Sequence, residues 1–147
     1  MGPRDHEHAG KQGRKESVSA FVDTNVLVRH LVGDPPDLAA RATAYLRKET
    51  GLLVADLVFA ETIYVLESFY EVARPKISEA MRALIMMESV SIVDAPLLLR
   101  SLEIYEHDRL DFAESYLVAS AESTKILQVA SFDRSIDRVQ SIKRIKP

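Results

Sequence analysis

From residue 18 onward, short apolar runs alternate with longer stretches in which apolar residues return every three or four positions. The first pattern predicts buried strands and the second predicts amphipathic helices. Val18–Val22 reads as a strand, and Asn25–Leu31 as a short helix stopped by Gly33-Asp34-Pro35-Pro36. Pro36 suits the first turn of a new helix that presents Leu38, Ala42, Tyr45 and Leu46 on one face and ends before Gly51. Leu52–Ala55 follows as a strand, then a long helix from Leu57 to about Glu71. Another helix spans Ile77–Met87, with Ile77, Met81, Leu84 and Ile85 as its core stripe. Val90–Val93 is a third strand, followed by helices from Pro96 to about His107 and over Asp111–Ser123. Leu127–Ser131 makes a fourth strand and Ile142–Ile145 a fifth. Strands separated by helices of these lengths predict an α/β fold, an α/β/α sandwich around a mostly parallel central sheet of four to five strands. Ligands in such sheets bind beyond the carboxyl ends of the strands.

Composition narrows this picture. The chain has 147 residues, the size of one domain, with apolar content near the globular average. Residues 1–17 lack apolar periodicity, carry His6 and His8, and are read as a flexible leader outside the fold. The absence of cysteine excludes disulfides, thiol catalysis and thiolate metal sites, and fits a reducing, cytoplasmic setting. The longest apolar stretch, Leu52 to Ala60, contains Asp56, so no membrane segment is expected. With a formal charge of −3, nucleic acid would have to be held locally or through a bound cation.

Acidic residues stand where the apolar elements begin or end. Asp23 closes the first strand, and Asp133 follows Gln128-Val129-Ala130-Ser131-Phe132. Either also fits a helix N-cap, where a short carboxylate accepts a backbone N–H. Glu61 falls at helical spacing with Leu57, Tyr64 and Val65, which places a carboxylate on an apolar stripe. An internal ion pair to Arg29 or Arg109 is its structural alternative. Asp111 and Glu114 have the spacing of a capping box. Glu114 also aligns with Leu117, Val118 and Ala121, so one division makes Asp111 the cap and Glu114 the site residue; the reverse stays open. Two carboxylates 5 Å apart repel by roughly 3 kcal/mol at an effective dielectric near 20. Several gathered together need a cation or raised pKa values. Without cysteine or a well-placed histidine, the fitting ion is Mg²⁺ or Mn²⁺, which activates water and neutralises phosphate charge.

The stretches Ala20-Phe21-Val22-Asp23-Thr24-Asn25-Val26-Leu27, Ala60-Glu61-Thr62, Leu110-Asp111-Phe112-Ala113-Glu114-Ser115-Tyr116-Leu117 and Ser131-Phe132-Asp133-Arg134 resemble, in this order, the PIN-domain ribonucleases. They are most similar to the toxin subunits of VapBC-type toxin–antitoxin pairs. The resemblance covers roughly Ser17 to the C-terminus and implies a nuclease domain over 18–147. It implies that Asp23, Glu61, Glu114 and Asp133 are the catalytic, metal-holding acids, with Asp111, Asn25 and Ser131 in support. Glu114 is a departure, because an aspartate is commoner there. The family implies divalent-metal-dependent cleavage of RNA, a homodimer and a cognate antitoxin.

Other residues add less. Arg134, Arg138, Lys143 and Arg144, with Lys146, make the tail basic and fit either contacts to an RNA backbone or a solvated face. His30 and His107 stand alone and read as surface or hydrogen-bonded core residues rather than ligands. The sequence thus points to a Mg²⁺- or Mn²⁺-dependent endoribonuclease. Its rivals are a catalytically weak interaction module of the same fold and a DNA or flap-type nuclease. A phosphoacceptor receiver domain is more distant, since Asp23 ends its strand without an acidic neighbour.

Overall fold

The computed structural model describes residues 18–147, so the leader expected over 1–17 lies outside the described residues. The chain divides into two compact units, one holding residues up to 62 together with 83–93, the other holding 63–82 and 94–147. All five expected strands are present and their pairing is parallel throughout, as an α/β fold requires. They form a three-stranded and a two-stranded sheet, one in each unit.

In the first unit, β1 (Ala20–Phe21) and β3 (Val90–Ser91) flank β2 (Leu52–Leu53). Ala20 stands opposite Leu52, and Leu52 opposite Val90. Further backbone bonds from Val22 to Leu53 (2.9 Å) and from Val54 to Ser91 (3.0 Å) lengthen the ladders. Helix α1 (Thr24–Val32) starts directly behind β1 and buries Leu27 and Val28. It ends where Gly33 adopts a left-handed φ of 78° and donates its N–H to the Arg29 carbonyl, a conformation that suits glycine. Helix α2 (Pro36–Lys48) begins at its proline. Its buried stripe is Ala39, Ala42 and Leu46, while Leu38 and Tyr45 of the expected face are exposed. Small alanines allow close packing, which turns the helix away from the larger side chains.

Helix α3 (Asp56–Ser68) begins in the first unit and α4 (Arg74–Met86) in the second. The core stripe expected on α4 holds: Ile77, Met81 and Leu84 are buried. The second unit continues with α5 (Ala95–Glu103), which passes into a π-helical turn over Ile104–Asp108 and ends at Arg109 with φ 60°. Helix α6 (Phe112–Thr124) packs against α5. Strand β4 (Gln128–Ala130) pairs with β5 (Lys143–Ile145), joined by a 3₁₀ turn over Arg134–Arg138. The core here is Ile104, Leu110, Val118, Ala119, Val129, Ile136 and Val139, closed by Ile142. Among the described residues, no helix is long and apolar enough to cross a membrane.

Candidate active site

In the first unit, Asp23 occupies the N-cap position of α1, with extended backbone, yet its side chain makes no capping hydrogen bond. The capping explanation for this carboxylate therefore fails. Asp23 and Asn25, one turn-step further on, are both exposed at the carboxyl end of β1. Between them Thr24 is buried, and its hydroxyl has no partner.

Glu61 corrects the sequence reading. The stripe that contains it is solvent-facing, with Leu57 80% and Tyr64 69% exposed. The buried face of α3 is Phe59, Thr62, Ile63 and Leu66 instead. Because α3 is apolar around most of its circumference, periodicity alone admits two stripes, and burial selects the one without the carboxylate. Among the described residues no ion pair reaches Glu61, so neither Arg29 nor Arg109 neutralises it.

The second unit holds the other acids. Asp111 caps α6: its carboxylate accepts the Glu114 backbone N–H at 2.8 Å, and its carbonyl accepts the Ser115 hydroxyl at 2.7 Å. The capping box is only half formed, because the Glu114 side chain does not return to the cap. Its Oε2 accepts the Ser135 hydroxyl at 2.9 Å instead, and its carboxyl interacts electrostatically with that of Asp133. Asp133 follows β4 and accepts the Ser135 backbone N–H at 2.9 Å, while its own N–H donates to Ser131 Oγ at 3.0 Å. Ser131 and Ser135 thus bracket Asp133, one on each side along the chain.

The two carboxyls have opposite electrostatics. Burial, helped by the bond to Asp133 and the charge of Asp111, raises the Glu114 pKa to about 7. The bonds to Glu114 and Ser135, helped by the charge of Arg138, lower that of Asp133 to about 2. Burial thus favours the protonated form of Glu114, and the hydrogen bonds favour ionised Asp133. The hard oxygens of two carboxyls bridged by one serine suit Mg²⁺ or Mn²⁺. The pair fits as a fragment of such a site. Among the described residues, no group of three or more His, Cys, Asp or Glu side chains is gathered tightly enough to hold an ion.

The basic tail divides. Arg144 binds Asp137 and the Ser131 carbonyl, and Arg138 donates to the Arg109 carbonyl at 3.0 Å. These two guanidinium groups brace the backbone around the acids. Arg134 and Lys143 are exposed. His107 is exposed, and half-buried His30 bonds Thr43 Oγ1 at 2.8 Å, with burial lowering its pKa. Ser135 was missed by sequence reasoning. A serine two residues after an aspartate reads as an ordinary turn residue, and only the approach of α6 reveals its second contact.

No curated protein matches the chain. Its sequence does match the PIN domain over residues 20–142, a span that includes Asp23, Glu61, Glu114 and Asp133, and PIN domains are generally nucleases. With that match over most of its length, the chain belongs to the PIN domain family.

Proposed function

We propose that this protein is a divalent-metal-dependent endoribonuclease and the toxin component of a type II toxin–antitoxin pair. The observation that carries the reading is the Glu114–Asp133 carboxyl pair, bridged by hydrogen bonds from Ser135, inside a PIN-family chain. By the resemblance, Asp23, Glu61, Glu114 and Asp133 would hold Mg²⁺ or Mn²⁺, with Asp111, Asn25 and Ser131 in support. When bound, the ion activates water and neutralises phosphate charge, which serves phosphodiester hydrolysis without a histidine base or a protein nucleophile. Exposed Arg134 and Lys143 would meet the RNA backbone, since the chain as a whole is acidic and nucleic acid must be held locally. A homodimer, a cognate antitoxin and a cytoplasmic location complete the reading, on the strength of the resemblance to toxin subunits.

The test is cleavage of an RNA pool with Mn²⁺ by wild type and by Asp23→Asn. Asp23 has no capping bond to lose, so its amide should leave the fold intact while reducing cleavage at least a hundredfold, in line with loss of a cation ligand. Equal activity in the variant, or cleavage that survives excess chelator, refutes the proposal. Tight metal binding without hydrolysis of any RNA would favour the interaction-module reading.

A further inference from the structure

Ser135 touches both members of the acid pair. Its hydroxyl donates to Glu114 Oε2 at 2.9 Å and its backbone N–H donates to Asp133 Oδ1, also at 2.9 Å. We propose that Ser135 is a positioning residue that orients the Glu114 and Asp133 carboxyls relative to each other. The proposal rests on the metal-dependent reading above only for what the pair serves.

The geometry carries it in two steps. Glu114 projects from α6 on a side chain with three rotatable bonds, so its carboxyl samples many directions unless a partner fixes it. The Asp111 cap does not do this, because that bond reaches the Glu114 backbone rather than its carboxyl. Asp133 is exposed and starts the 3₁₀ turn, and its orientation follows from the Ser135 N–H of the same turn. One residue therefore ties a carboxyl carried by α6 to a carboxyl carried by the β4–β5 connection. The turn that presents Ser135 is itself anchored, with Ile136 buried and Arg144 bonded to Asp137. Orienting partners one shell out from a cation typically change affinity by roughly 10–100-fold.

The experiment uses the full chain, metal-free, with variants Ser135→Ala, Ser135→Thr, Glu114→Gln and the Ser135→Ala/Glu114→Gln double. Ser135→Ala keeps the backbone N–H and removes only the hydroxyl. Two readouts are taken: Mn²⁺ affinity by calorimetry, and the side-chain carboxyl resonances of Glu114 and Asp133 by NMR. The expected result is a roughly tenfold weaker Mn²⁺ affinity in Ser135→Ala, recovery to about twofold of wild type in Ser135→Thr, and no further loss when the alanine is added to Glu114→Gln. The Glu114 carboxyl resonance should move in Ser135→Ala and return in Ser135→Thr. Unchanged resonances in Ser135→Ala, or an affinity loss of equal size in both Glu114 backgrounds, would overturn the proposal. If wild type binds no Mn²⁺, the metal-dependent reading fails, and the carboxyl resonances alone then decide whether Ser135 orients the pair.

Discussion

Glu114 and Asp133 are neighbours with the same chemistry and opposite proton affinity, and the difference follows from their surroundings. Burial raises the proton affinity of the half-buried carboxyl, while hydrogen bonds lower that of the exposed one. The signs of the pH dependence follow. The folded-state pKa of Glu114 lies above its ordinary 4.5, so its contribution to stability is complete below that value and is lost as pH rises through about 7. Asp133 lies below its ordinary 3.8, so its contribution is present above that pH and is lost as pH falls through about 2. A cation binding to the pair must displace the remaining proton. Mn²⁺ affinity should therefore rise by about tenfold per pH unit below 7 and level off above it. Calorimetry in buffers of different ionisation enthalpy checks this, and uptake of Mn²⁺ without proton release at pH 6 would contradict it. Much of this chemistry was legible in the chain itself: Asp23 and Asp133 stand at strand ends where the sequence puts them. The environment of Glu61 was not, because an α-helix apolar on most sides does not declare which side is buried.

Behind the acid pair stands the corner between α5 and α6, and long-range hydrogen bonds shape it. The helix passes through a π turn and ends at left-handed Arg109, and two arginines donate to carbonyls of this corner. Arg74 Nη1 donates to the Tyr105 carbonyl at 2.7 Å and also to that of Leu110, while its guanidinium lies 4.2 Å from the centre of the Tyr105 ring. Arg138 holds the Arg109 carbonyl. Leu110 directly precedes the cap residue Asp111, so Arg74 fixes the point from which α6 departs. Arg74→Ala should cost about 2–3 kcal/mol, since it leaves two carbonyls without their charged donor. Arg74→Lys should recover part of this, because an ammonium serves one carbonyl better than two. Urea denaturation measures both; an alanine variant within about 0.5 kcal/mol of wild type would show the corner to be held by other means. Helical periodicity gave the existence of every helix here. It could not give the π turn, because the residue that satisfies that turn lies about thirty positions away. Faces were harder than existence for a related reason: on α2 the alanines pack and the larger Leu38 and Tyr45 remain outside.

Taken over its full length, the chain carries more acid than base, with 22 Asp and Glu against 19 Lys and Arg. Two of the tail arginines are also committed to bracing backbone and Asp137. Parallel strand pairing was legible from the alternation of strands and helices, whereas the division into three and two strands was not, because partners are chosen by contacts distant in sequence. An acidic protein that acts on a polyanion gains from a cation, and a cation that binds the folded state alone must also stabilise it. At a free Mn²⁺ concentration a hundred times its dissociation constant, the gain is about 2.7 kcal/mol. For a chain of this size that corresponds to a rise in Tm of roughly 5–11 °C. The melting temperature of wild type should climb with Mn²⁺ in this way and fall back on addition of a chelator. Glu114→Gln should lose most of the climb while its metal-free Tm stays within a few degrees of wild type, since the neutral amide imitates the protonated carboxyl that burial favours there. A Tm that ignores Mn²⁺ in wild type, or climbs equally in Glu114→Gln, would remove the acid pair from the metal site.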